Sequence, residues 1–185
     1  MSGKLVYLIG ASGVGKDTLL HALREDEFFV PSFVFAHRYI TRPSHIGSEN
    51  HVELSKAEFL MRSKRGLFAL EWHAHDTHYA IGKEINVWMD AGVHVFVNGS
   101  RGYLSEVERI YPDVLPIWMT VDSGVLMQRL IARGREPLQE IERRVQRNRE
   151  METLRSDGCL TVDNSGDLAE GLEAFKNAIT QNVEL

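Results

Sequence analysis

The sequence predicts an α/β fold, a parallel sheet with flanking helices and a small mixed subdomain inserted into it. Three observations carry that prediction. Compact apolar runs recur at residues 4–9, 93–97 and 115–121, and each leads into a stretch with apolar residues at helical spacing. A glycine-rich turn joins the first run to the first helix. Between residues 37 and 90 the alternation gives way to short, His-rich polar and apolar pieces.

Taken in order, residues 4–9 form a strand ending in glycine, and 17–24 form a helix with Leu19, Leu20 and Leu23 on one side. Residues 56–63 give a helix inside the His-rich segment. The runs at 93–97 and 115–121 are continuously apolar, as strands are when helices cover both faces. Helices follow at 103–111 and 123–133, the second with Val125, Leu126, Leu130 and Ile131 along one side. A long Arg- and Glu-rich helix is expected at 138–154, a short strand at 160–162 and an amphipathic helix at 167–180. With no repeat or low-complexity tract, residues 1–185 read as a single domain, 1–36 and 91–185 making core and lid around an inserted 37–90.

Composition excludes several function classes. Apolar residues at 43% and charged residues at 25% are ordinary for globular proteins. A single cysteine, Cys159, cannot form an intramolecular disulfide, which fits the cytoplasm, and burial without reactivity is its expected role. The N-terminal apolar run passes straight into the glycine turn, so it reads as a strand rather than a secretory leader. No stretch approaches the roughly 20 apolar residues that span a bilayer. A formal net charge of −5 argues against a general nucleic-acid binder, which needs basic faces to displace counterions. Oligomeric state is not written in the sequence.

Gly10, Ala11, Ser12, Gly13, Val14, Gly15 and Lys16 fill seven positions of the phosphate-loop signature G-x-x-x-x-G-K-[ST], between the expected strand and helix. Glycines let backbone N–H groups converge on phosphate oxygens, and Lys16 reaches the terminal phosphates of ATP. The eighth position holds Asp17, with Thr18 one residue later. Two readings of Asp17 stay open: a hard oxygen ligand for Mg²⁺, directly or through water, or a first-turn charge favoured by the helix dipole.

Beyond the loop, the chain resembles the guanylate kinase family along almost its whole length. Thr41-Arg42, Gly47, Glu49, His51 and Ser55 to Phe59 stand where that family has its acceptor segment. Ala69-Leu70-Glu71-Trp72 and His78-Tyr79-Ala80 are similar to two further family segments. Arg133-Gly134-Arg135-Glu136, with Ile141 and Arg144, resembles the family lid. Independently of the family, Arg133, Arg135 and Arg144 suit a clamp on the charge of a phosphoryl transition state, whereas Arg147 and Arg149 read as coating a solvated helix.

The resemblance breaks where a guanylate kinase reads guanine. Arg38 replaces a serine, Val97-Asn98-Gly99-Ser100-Arg101 replaces acidic residues, and Glu71 alone remains of the base-reading set. His45 and His51 replace an arginine and a tyrosine. Such a site resembles the ribose 1,5-bisphosphate phosphokinases, guanylate-kinase-like enzymes of phosphonate utilisation, which also share Gly15-Lys16-Asp17, 36–42, 47–51 and 72–74. The resemblance implies that ATP phosphorylates ribose 1,5-bisphosphate to phosphoribosyl pyrophosphate. It implies Lys16, Arg133 and Arg144 as catalytic groups, and 37–90 as the acceptor-binding subdomain. Arg38, Arg42, His51, Glu71, Tyr79, Asn98 and Arg101 are the expected substrate contacts.

Two rivals stand beside it: a nucleoside monophosphate kinase acting on GMP, and a silent guanylate-kinase-like module that binds peptides, against which Lys16 and the lid arginines speak. His73, His75, Asp76 and His78 suggest either a zinc site or a pocket wall, the wall being the better reading because zinc needs a committed ligand set. His37, His45 and His51 are either phosphate contacts or loop and capping residues. Val162-Asp163-Asn164 is a weak basis for choosing between ATP and GTP.

Overall fold

The computed structural model describes residues 2–29, 31–43, 51–74, 76–134, 136–153, 155 and 158–183. Its main sheet is five-stranded, all parallel: β1 (Leu5–Gly10), β2 (Phe33–Phe35), β7 (His94–Asn98), β8 (Leu115–Thr120) and β9 (Leu160–Asp163) lie in the order β2-β7-β1-β8-β9. β1 is central and buried along its length. Its side chains alternate between the two faces, as the period of a strand requires. Val6 and Leu8 enter one core, while Leu5, Tyr7 and Ile9 enter the other.

Helices close both faces. On the Val6 side lie α1 (Lys16–Arg24), α5 (Ser123–Arg133), α6 (Leu138–Glu152) and α7 (Leu168–Thr180), which contribute Leu19, Leu126, Ile141 and Phe175 among others. On the Tyr7 side, α3 (Glu84–Asp90) sends in Ile85 and Met89, and α4 (Leu104–Ile110) sends in Leu104 and Val107. Each fully buried side chain of this size contributes roughly 1.5–3 kcal/mol through removal of apolar surface from water. The ends are fixed by polar caps. Asp122 accepts from the backbone N–H of Gly124 and Val125 at the start of α5, Gly134 ends that helix at φ 60°, and Asp167 with Glu170 forms a capping box on α7.

The inserted segment is a second, four-stranded sheet in the order β4-β3-β6-β5, formed by β3 (Arg38–Ile40), β4 (His51–Glu53), β5 (Phe68–Ala74) and β6 (Thr77–Gly82). α2 (Lys56–Lys64) packs on it through Phe59, beside Phe68 and Ala80. Leu70 and Ile81 join the Tyr7-side core, so the second sheet is anchored on the first. α3 lies within the inserted stretch but packs under the main sheet. β2 has no counterpart among the strands expected from the sequence, because three residues show no periodicity and its register partners on β7 are 61 positions on. No helix among the described residues is long and apolar enough to cross a membrane.

Where β7 gives way to the loop that follows, a buried tyrosine sets the path. The Tyr7 hydroxyl accepts from Ser100 N at 2.9 Å and donates to Ser100 O at 3.2 Å, and burial pushes its pKa up. Gly99 passes so close that a Cβ there would lie 2.1 Å from Tyr7 Cζ. Backbone and a fully packed ring must then separate. Gly99→Ala is therefore expected to lower stability by about 1–3 kcal/mol, read as a reduced urea midpoint at unchanged m-value. A midpoint equal to that of the parent would refute the steric account.

Candidate active site

β1 ends at Gly10, and the chain turns through 11–15 into α1. Gly13 and Gly15 hold φ 99° and 104°, where a side chain is strained in any case, and a Cβ at Gly15 would also lie 2.5 Å from Asn164 Nδ2. Gly15 caps α1 with no side chain, so the first-turn N–H groups and the positive end of the helix dipole face the loop's concavity. The loop is braced from outside. Asn164 Nδ2 donates to Val14 O at 2.6 Å, and Arg129 donates to Val14 O at 3.3 Å, Asn164 O at 2.8 Å and Gly166 O at 3.0 Å. Neither residue was among those the sequence marks as site residues. Asn164, weighed above for base choice, is 7% exposed with its amide spent on the loop.

Lys16 donates from Nζ to Gly10 O at 2.9 Å and to Ala11 O at 3.0 Å. Burial lowers its pKa from 10.5 to about 8, with Asp17 opposing that shift and Arg38, Arg101 and Arg133 adding to it. Asp17 is held from two other elements: its Oδ1 accepts from Asn98 Nδ2 at 2.7 Å and from Arg38 at 3.3 Å. The carboxylate therefore does more than complement the helix dipole. Because a carboxylate only accepts, the Asn98 amide must turn its nitrogen toward Asp17. Asn98 Oδ1, buried in a residue 6% exposed, has no hydrogen-bond partner among the described residues.

These groups open onto one cleft of about 940 Å³. Its lining brings together Gly10, Ala11, Ser12, Gly13, Gly15, Lys16, Asp17, Arg38, Arg42, Tyr79, Asn98, Arg101, Arg133 and Arg144. Arg144 hydrogen-bonds Glu136 and the Ser12 hydroxyl, while Arg101 is bonded to Asn148. Trp72 and Tyr79 stack at 5.5 Å on the cleft wall, and Tyr103 stacks on Trp72 at 5.8 Å. Arg147, expected to coat a solvated helix, also lines the cleft, whereas Arg149 turns away to bond Ser123 Oγ. Trp72 belongs to a segment the resemblance marks, but Asn148 and Arg147 carry no motif that singles them out; only the packing of α6 brings those two here.

Other expected site residues lie elsewhere. Val14 is fully buried and offers only backbone, and Thr18 is exposed on α1. Glu71 does not line the cleft: Trp72 and Ala74 do, and strand alternation turns Glu71 and His73 to the other face. His51 sits on β4 opposite Arg38 and is likewise not in the lining. His45, Gly47, Ser48, Glu49, Asn50, His75 and Arg135 fall outside the described residues. The hairpin holding His73 and His78 turns between paired Ala74 and Thr77, with Asp76 at φ 56°. Among the described residues no group of three His, Cys, Asp or Glu side chains is placed to hold a metal ion.

The geometry has close relatives in sequence and in fold. The chain is 48% identical over 180 residues to a ribose 1,5-bisphosphate phosphokinase PhnN of Desulfomicrobium baculatum, covering 97% of this chain and 96% of that one. To the proteins of the same name from Yersinia pestis and Pectobacterium atrosepticum it is 47% and 46% identical, over 98% and 95% of this chain and 94% and 93% of theirs. It belongs to the ribose 1,5-bisphosphate phosphokinase family. No model of a protein family matches the chain. Among solved structures, guanylate kinase from Anaplasma phagocytophilum superposes with a TM-score of 0.72 at 16% identity, covering 99% of this chain and 88% of that one. A gluconokinase from Sinorhizobium meliloti gives 0.52 at 17% identity, over 97% and 93%. At those identities the likeness is one of fold, and the fold is that of guanylate kinase.

In this phosphokinase the lowered Lys16 pKa sets a pH dependence. Below about 8 Lys16 is charged and attracts phosphate; above it the folded protein releases a proton that anion binding must restore. ATP affinity is expected to fall as pH rises from 7 to 9.5, with proton uptake on binding. Calorimetric titration in buffers of different ionisation enthalpy measures it, and uptake that stays at zero at pH 9 would contradict the shift. Stability changes in the opposite sense: between about 8 and 10.5 the unfolded chain binds the proton more tightly, so the contribution of Lys16 to stability rises with pH.

Proposed function

We propose that the cleft transfers the γ-phosphoryl group of ATP to the 1-phosphate of ribose 1,5-bisphosphate, giving ADP and 5-phospho-α-D-ribose 1-diphosphate. The observation that carries this reading is the concentration of Lys16, Arg38, Arg42, Arg101, Arg133 and Arg144 around one cleft. The relatives named above are called ribose 1,5-bisphosphate phosphokinases, and a doubly phosphorylated pentose is the acceptor such a ring of cations fits.

The residues divide by position. The loop N–H groups and Lys16 hold the β- and γ-phosphates, with Arg133 and Arg144 at the mouth of the loop to stabilise the charge that spreads over the transferring group. Arg38, Arg42 and Arg101 hold the acceptor phosphates on the opposite wall. Asn98 Oδ1 is an acceptor for a sugar hydroxyl, and Tyr79 with Trp72 forms a flat apolar wall behind the ring. An oxygen of the 1-phosphate attacks the γ-phosphorus as the bond to the β–γ bridging oxygen breaks. That oxygen is already anionic, so no side chain has to remove a proton, and rate comes from alignment and charge neutralisation. Mg²⁺ fits the donor set: Asp17 offers a carboxylate that is 41% exposed beside Lys16, a hard ligand whose bound ion would neutralise phosphate charge. Using ATP, the reaction belongs in the cytoplasm.

Mass analysis of products after incubation with Mg-ATP and a panel of ribose 1,5-bisphosphate, GMP and AMP tests the reading. The sugar bisphosphate is expected to gain one phosphoryl group and GMP to be a poor acceptor; faster phosphorylation of GMP would return the protein to the nucleotide kinases. Lys16→Ala is expected to cut kcat by at least about a hundredfold with the fold retained by circular dichroism. Arg38→Ser and Arg101→Gln are each expected to raise KM for ribose 1,5-bisphosphate by about tenfold and KM for ATP by less than about threefold. Unaltered acceptor kinetics in both would remove the arginines from the acceptor site.

A further inference from the structure

Arg101 begins the short 3-10 turn Arg101–Tyr103, and nothing in that turn fixes so long a side chain. Its orientation is set from across the cleft, by α6. Asn148 Oδ1 accepts from an Arg101 terminal nitrogen at 2.7 Å, and Glu152 Oε1 lies 3.9 Å from the same nitrogen. The guanidinium carbon rests 5.6 Å over the Trp118 ring, whose Nε1 donates to that Glu152 oxygen at 2.9 Å.

Asn148 is out of place on helix-forming grounds. It is 4% exposed, asparagine is a mediocre helix former, and burial of its amide costs free energy that only a hydrogen bond offsets. Elsewhere the buried side of α6 is apolar, with Ile141 and Val145. Residues 144, 148 and 152 stand four apart and share one helix face. Along that face Arg144 meets Ser12 of the phosphate loop, Asn148 meets Arg101, and Glu152 meets Trp118 of the core.

We propose that Asn148 is a positioning residue for acceptor binding: its amide oxygen holds the Arg101 guanidinium in the cleft, and α6 sets the spacing between that guanidinium and Arg144 at the phosphate loop. The inference rests on reading Arg101 as an acceptor-phosphate group. A neutral amide suits the task. It occupies one of the five N–H donors of an arginine and leaves the others for a phosphate, while the opposing charge of Glu152 stands further back, at 3.9 Å.

The test is steady-state kinetics of the parent, Asn148→Leu, Arg101→Gln and the double variant, with Mg-ATP and either ribose 1,5-bisphosphate or GMP as acceptor. Asn148→Leu is expected to raise the acceptor KM about tenfold and the ATP KM by less than about threefold. In the Arg101→Gln background it should add no more than about twofold, because a residue that acts only through Arg101 has nothing left to position. Asn148→Ala replaces the leucine variant should that fail to fold. An unchanged acceptor KM, an equal rise in ATP KM, or effects that multiply in the double variant would overturn the inference. A parent that prefers GMP sinks the ribose reading alone, since the KM split is then read on GMP.

Discussion

Like charge held at close quarters is the constraint on which this structure depends. Lys16 sits among Arg38, Arg101 and Arg133, and their fields, added to burial, bring its pKa down to about 8. Cations brought together in a partly desolvated cleft repel one another and lose hydration unless something nearby compensates. The protein supplies that compensation from its own atoms. Two loop carbonyls take the Lys16 ammonium, Asp17 takes Arg38, Glu136 takes Arg144, and Asn148 with Glu152 takes Arg101. Each of these contacts offsets a charge locally, so the cations stay gathered around one cleft.

Holding such a cleft open requires rigid walls, and the two sheets provide them. The central strand β1 is buried on both faces and delivers Gly10 at a fixed point. Asn164 and Arg129 then clamp the Val14 carbonyl, so the loop cannot drift from the helix N-terminus it feeds. Across the cleft, Tyr7 pins the backbone of Ser100 and thereby the approach from Asn98 to Arg101. The second sheet meets the first through Leu70 and Ile81, which places Arg38 3.3 Å from Asp17 although one stands on a strand of the second sheet and the other on α1. Packing of apolar side chains far from the cleft thus decides where charges inside it stand.

Departures from the guanylate kinase pattern become chemically coherent once placed. Asp17 is unusual for a phosphate loop in isolation, yet here it partners Arg38 and Asn98, both of which also depart from that pattern. The three meet at one point, where the Asp17 carboxylate accepts from both the Asn98 amide and the Arg38 guanidinium.

The main elements were legible from the sequence, because continuous apolar runs and helical spacing are local signals: β1, β7, β8 and helices α1, α2, α5, α6 and α7 fall within a few residues of expectation. The phosphate loop was legible for the same reason, since its glycines and lysine are contiguous and each answers to a local backbone demand. β2 was not, being a three-residue edge held by pairing with a distant strand. Nor was the sidedness of β5, where the alternation that sends Trp72 into the cleft sends Glu71 out of it. Asn148, Asn164, Arg129 and Arg147 are ordinary polar residues by spacing and composition. Their roles come from which element lies against which, and long-range packing, unlike a turn or a helix period, leaves no imprint in neighbouring positions of the chain.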